Sequence, residues 1–143
     1  MSKSEPTRVL VIDDDVAVTD MLRVILEPMS FEVVSSASAE DGINAAHRLN
    51  PDVVVLDLFM PGMDGWEVCR AIRKFSKVPI LVLTAMSKPG MVVKALNEGA
   101  DDYLIKPVAS SVLVAHLRNL SRRARAEKEA VESKTRFKFG NHY

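Results

Sequence analysis

The sequence predicts an α/β fold: a doubly wound, three-layer parallel sheet built from five βα units, with strand order 2-1-3-4-5. Short runs rich in Val, Ile and Leu recur about every 25 residues, with helical periodicity between them. The first, third and fourth runs are apolar throughout rather than alternating, as strands covered on both faces by crossover helices require. Polar residues gather directly after those runs, at what would be one edge of the sheet.

Taken in chain order, "RVLVI" (8–12) is the first strand, and it runs into the aspartates at 13–15. Asp15 is placed to cap the first helix. "FEVVSS" (31–36) is the second strand, and "SAED" (38–41) reads as a capping box opening the second helix. "DVVVLD" (52–57) is the third strand and ends in Asp57. "PILVLT" (79–84) is the fourth and ends in Thr84; Ser87 is then expected to cap a helix running through Glu98, which Gly99 terminates. "DYLI" (102–105) is the fifth strand, followed by Lys106 and Pro107.

The chain has 143 residues, 48% of them hydrophobic, which suits one domain with a real core. Its 19 basic and 19 acidic residues are unevenly placed: residues 1–117 carry 11 basic and 16 acidic, and residues 118–143 carry 8 and 3. An acidic body argues against nucleic-acid binding by the body itself, while the basic tail permits it for whatever the tail leads into. Cys69 is the only cysteine, which excludes an intrachain disulfide or a thiolate metal cluster and fits a reducing compartment. The amino terminus has no apolar stretch of signal-peptide length and no run approaches the roughly 20 residues of a membrane span, so the chain is expected to be soluble and cytoplasmic.

In open parallel sheets, ligands bind beyond the carboxyl ends of the strands where strand order reverses. Asp13, Asp14, Asp57, Thr84 and Lys106 all fall at that edge. Three carboxylates crowded together repel one another, and a hard dication relieves the repulsion; with no histidine or cysteine nearby, magnesium suits the donors better than zinc. A carboxylate beside magnesium and lysine can attack phosphorus in line to form an acyl phosphate. Asp57, alone on its strand, is the expected nucleophile.

Those residues, with "VVVLDLFMPGMDG" (53–65) and "GADDYLIKP" (99–107), make the sequence resemble the receiver domain of bacterial two-component response regulators over residues of about 7 to 122, most closely the OmpR/PhoB class. The resemblance implies a flavodoxin-like fold and a signalling switch rather than an enzyme. It implies that Asp13, Asp14, Asp57 and the backbone carbonyl of Phe59 bind Mg2+ and that Asp57 accepts a phosphoryl group from a partner histidine kinase. It further implies that Thr84 and Lys106 contact the phosphoryl group, that Ala85 leaves it access, that Tyr103 is the switch aromatic and that the Lys106–Pro107 peptide is cis. Movement of Thr84 toward a phosphoryl group would open space for Tyr103 and alter the surface of the fourth helix, fifth strand and fifth helix. Residues 1–122 are then the receiver, and 123–143 a helical extension that could begin a truncated effector domain.

Competing phosphate chemistry fits less well. A haloacid-dehalogenase-like phosphatase needs a second aspartate two residues after its nucleophile, where this chain has Phe59. A flavin or dinucleotide site would put a phosphate loop after the first strand, where "DDDVAV" would repel phosphate. In the resembled family, the side chains two after the acceptor and two after the threonine influence hydrolysis of the acyl phosphate; here they are Phe59 and Met86, which implies a long-lived phosphoryl group suited to transcriptional output. A stand-alone receiver acting as a phosphorelay or docking module is the alternative reading.

Receivers of the OmpR/PhoB class dimerise through the fourth helix, fifth strand and fifth helix using ion pairs, and this chain keeps that pattern in part. Val92 and Val112 stand where an opposite-charge pair would be, Asn97 replaces an acid facing Arg118, His116 replaces the base facing Asp102, and Asp101 with Arg123 remains as a candidate pair. Leu113, Leu117, Leu120, Ala124 and Val131 form a near-heptad stripe, open to reading as a dimerising helix or as a solvated linker. In "TRFKFGNHY" (135–143), Arg136, Phe137, Lys138 and Phe139 alternate before Gly140 and read as a short strand and turn, resembling the start of a winged-helix DNA-binding domain.

Overall fold

The computed structural model of the 143-residue chain describes residues 5–85 and 88–140, with backbone alone for Met63 and residues 132–140. Strands β1 (Thr7–Ile12), β2 (Phe31–Ser36), β3 (Val53–Leu56), β4 (Ile80–Thr84) and β5 (Asp102–Ile105) form a single parallel sheet in the order β2-β1-β3-β4-β5. Helices α1 (Val16–Leu26), α2 (Ala39–Leu49), α3 (Gly65–Arg73), α4 (Pro89–Asn97) and α5 (Ser110–Gly140) connect and follow the strands. A short hairpin, Phe59–Met60 paired with Met63–Asp64, lies between β3 and α3.

Successive side chains of a strand point to opposite faces, so the apolar run of β1 feeds two cores. Leu10 and Ile12 join Ala46, Val68 and Ile72 from α2 and α3, whereas Val9 and Val11 join Leu22, Leu26, Leu113 and Leu117 from α1 and α5. Each such side chain contributes roughly 1.5–3 kcal/mol when fully buried. β1, β3 and β4 are central and almost wholly buried, as their unbroken apolar runs predict, while the edge strands β2 and β5 are partly exposed.

The helix starts follow cap chemistry. Asp15 accepts from Ala17 N at 3.0 Å, Ser38 from Asp41 N at 3.2 Å and Asp64 from Glu67 N at 2.8 Å. α4 departs from expectation. It begins at Pro89 with Lys88 as N-cap and no side-chain cap bond, and Ser87, read as its cap, lies outside the described residues, as does Met86. Pro at the first helical position replaces the cap by pre-setting φ and lacking an orphan N–H. Gly99 does terminate the segment, at φ +111°.

The tail also departs from expectation. Residues 136–139, read as a strand, belong to α5, which runs unbroken to Gly140. Helix satisfies its own backbone without a partner strand. The near-heptad stripe is largely spent inside the domain, because Leu113, Leu117 and Leu120 are buried against the sheet, and Val131 is left exposed. Past Leu120 the helix follows the base of the sheet, where Arg125 donates to Glu5 O at 3.1 Å, Pro6 O at 3.2 Å and Asp52 Oδ2 at 3.4 Å.

Candidate functional site

The carboxyl edge of the sheet gathers the polar residues because the ladder continues one residue past each strand. Asp13 N donates to Ser36 O at 3.1 Å, Asp57 N to Ile12 O at 3.0 Å and Lys106 N to Thr84 O at 2.8 Å. Backbone hydrogen bonds therefore seat Asp13, Asp57 and Lys106 before any side chain acts.

Asp13, Asp14 and Asp57 converge: one carboxylate oxygen of each lies within 4.8 Å of the others. Asp13 is buried, Asp57 half-buried and Asp14 exposed. Asp13 is held by the Asp15 amide at 2.9 Å and by Lys106 Nζ at 3.1 Å, the direct countercharge to the cluster. The Phe59 amide donates to Asp57 Oδ1 at 3.4 Å, so that carboxylate is less firmly tied than Asp13. Burial raises the Asp57 pKa above the ordinary carboxylate value; Lys106 pulls it down, Asp13 pushes it up, and the nearby Thr84 hydroxyl and Phe59 amide pull it down.

The Thr84 hydroxyl is buried and close enough to Asp57 to lower its pKa, and among the described residues it makes no hydrogen bond of full geometry. A buried hydroxyl without a partner costs about 1–3 kcal/mol, so this donor is held ready for an acceptor. Tyr103 packs half-buried on the β5 edge, and its phenol pKa is raised by burial and by the Asp57 charge. The Lys106–Pro107 peptide is cis.

The donor set is entirely oxygen, with no histidine or cysteine in the cluster. Three carboxylates with one exposed member fit a hard divalent cation that keeps several waters, as Mg2+ does. Beside the cluster, Phe59 is exposed and meets Trp66 edge-on, with centroids 6.2 Å apart. Next to Lys106 and Pro107, an apolar groove of about 410 Å³ opens between α1 and α5, lined by Met21, Ile25, Val108 and Leu113.

Several dimer-face positions have partners within the chain. Asp101 takes Arg73 Nη2 at 2.8 Å and the Ile80 amide at 2.8 Å within the same molecule, both through Oδ2. His116 Nδ1 contacts Asp102 Oδ2 of its own chain, and Arg118 reaches Met29 O at 3.5 Å. Val112 is exposed and Val92 half-buried. Sequence reasoning missed Arg73, whose five hydrogen bonds pin the α4–β5 connection; its only sequence signal is its place four residues after Cys69 on the inner side of α3.

The family described as "Response regulator receiver domain" matches residues 9–118. The chain is 43% identical over 124 residues to the transcriptional regulatory protein AfsQ1 of Streptomyces coelicolor, covering 87% of this chain and 54% of that protein. It is 42% identical over 116 residues to the DNA-binding response regulator MtrA of Mycobacterium tuberculosis, covering 81% and 51%. The chain thus spans about half the length of these curated relatives. A two-component response regulator from Clostridium difficile superposes with TM-score 0.79 at 31% identity, over 82% of this chain and 97% of that one. The BeF3-activated receiver domain of Klebsiella pneumoniae RstA gives 0.77 at 30%, over 80% and 98%.

Proposed function

The chain belongs to the family of response regulator receiver domains, and on that premise we propose that Asp57 accepts a phosphoryl group from a partner histidine kinase. The observation that carries the reading is the cluster of Asp13, Asp14 and Asp57, countered by Lys106 and faced by the buried Thr84 hydroxyl.

A carboxylate oxygen of Asp57 attacks phosphorus; the new P–O bond forms as the donor's P–N bond breaks, and the electron pair leaves with the imidazole nitrogen. Asp13, Asp14, Asp57 and the Phe59 carbonyl would hold Mg2+, which when bound neutralises charge on the phosphoryl oxygens. Lys106 pairs with the transferred group and Thr84 donates its hydroxyl to it. Tyr103 then turns into the space Thr84 vacates, so a charge event at the sheet edge alters the α4–β5–α5 surface. The groove between α1 and α5 gives a protein donor an apolar surface adjoining Lys106.

Output through transcription is supported by relatives named as a transcriptional regulatory protein and a DNA-binding response regulator; DNA would be bound by an effector domain beyond residues 1–122. The switched surface would be read by a second copy, since Val93, Leu96, Ile105 and Val112 leave apolar area exposed on α4, β5 and α5. No helix among the described residues is long and apolar enough to cross a membrane, and the proposed site of action is the cytoplasm.

Intact mass after incubation with Mg2+ and acetyl phosphate tests the chemistry. Wild type should gain one phosphoryl group and Asp57→Asn none; an adduct retained in the variant would refute the assignment. Light scattering behind size exclusion should show doubled molar mass only in the phosphorylated protein.

A further inference from the structure

α4 is the least embedded helix of the sheet's cover. Ala95 is its one buried residue, its start carries no side-chain cap, and Val93 and Leu96 face outward. Its apolar anchorage is Ala95 with the half-buried Met91, and polar contacts from α3 add to it. Trp66, Arg70 and Arg73 recur at i, i+4 and i+7 on one face of α3, and all three grip the α4 segment. Lys94 Nζ sits 4.3 Å from the Trp66 ring centroid, Arg70 Nη1 meets Glu98 Oε2 at 2.9 Å, and Arg73 donates to Gly99 O through both Nε and Nη2 at 3.1 and 2.8 Å.

We propose that this face of α3 is a latch that holds α4 in its resting position, with the Lys94–Trp66 contact as the end that opens. The inference rests on the phosphoacceptor reading for what opens it and on the α3–α4 geometry alone for its existence. The three contacts are graded along the helix. Arg73 ties the fixed end, bonding three carbonyls and Asp101 in a half-buried position. Arg70 and Glu98 are more exposed and form a weaker pair. At the far end the ammonium–indole contact is offset by the buried Trp66 Nε1, which has no hydrogen-bond partner among the described residues. Opening that end loses the cation's attraction but lets the indole N–H find an acceptor, so the two arrangements lie close in free energy, as a switching element requires.

Trp66 also meets Phe59, two residues past Asp57, so the opening end of the latch adjoins the phosphorylation loop. A charge placed on Asp57 would disturb Phe59 and Trp66 in turn, a route to α4 separate from Thr84 and Tyr103.

Hydrogen exchange on the unphosphorylated chain, comparing Lys94→Ala, Lys94→Arg and wild type, tests the latch. In Lys94→Ala the amides of α4 should exchange roughly two- to five-fold faster, the factor expected for loss of one exposed cation–π contact, with α2 unchanged. Alanine is the better helix former, so a rise cannot come from propensity; Lys94→Arg should restore the wild-type rate. Phosphorylation by acetyl phosphate should quicken in Lys94→Ala by a similar factor, since less of the protein is held at rest. Unchanged exchange in α4 overturns the latch, and faster exchange with an unchanged phosphorylation rate overturns its role as a restraint. Absence of any adduct on wild type instead refutes the phosphoacceptor reading, while the exchange result still decides whether the latch exists.

Discussion

Cys69 shows how a single buried group sets a pH limit. It is fully buried in the core between the sheet and α3, and burial pushes its thiol up to about 11 from an ordinary 9. Because the folded value is raised, the unfolded chain ionises first: the stabilising difference is complete below pH 9 and is lost as pH rises toward 11, by about 2–3 kcal/mol in all. Urea titrations at pH 8 and pH 10.5 should show a smaller alkaline loss in Cys69→Ala than in wild type, whatever the variant's stability at pH 8. The native thiol should also resist a thiol reagent at pH 8 until the protein unfolds. That Cys69 is core, and that Asp13, Asp14, Asp57 and Lys106 share one edge, was legible in the sequence because strand-end position follows from strand periodicity. The Arg73 partner of Asp101 was not, since it depends on which helix face lies opposite it.

Among the elements, the hairpin between β3 and α3 depends on glycine at two points. Gly62 adopts φ +90°, and a Cβ on Gly65 would lie 2.5 Å from the Leu58 Cα, backbone that cannot swing aside. The close approach lets Gly65 N bond Leu58 O at 2.9 Å and starts α3 directly behind the acceptor loop. Gly65→Ala should therefore lower stability by about 1–3 kcal/mol, the usual range for overpacking, read as an earlier urea midpoint; an unchanged midpoint would mean the loop can relax. The two-residue pairing in this hairpin was invisible in the sequence, since so short a ladder has no periodicity. The start of α4 was misplaced for a related reason: a cap-type serine and a first-turn proline compete as signals, and geometry selected the proline.

For the whole molecule, α5 is the element that reaches past the sheet, and its extension is not free of the domain. It is tied to the base of the sheet through Arg125, which meets Asp52 and two backbone carbonyls, and Lys128, 3.8 Å from the same carboxylate. Asp52 is already positioned by the Arg8 amide at 2.8 Å, so the anchor point is rigid. Arg125→Ala should raise hydrogen exchange across residues 123–131 about five-fold, as expected for losing a net 1 kcal/mol, and leave β1 and β3 protected. Exchange unchanged in that segment would show that helix propensity alone orders the extension.

By itself the amino-acid sequence determined the number and order of strands, their parallel burial, the acidic edge and the family, because each is written in local periodicity or in residue types at fixed offsets. Only the tertiary structure decided that Asp101 belongs to Arg73, that the leucines of α5 serve the core rather than a seam between copies, that the tail continues as helix, and that α3 grips α4. Those outcomes turn on distances between residues far apart in the chain, which no local pattern encodes.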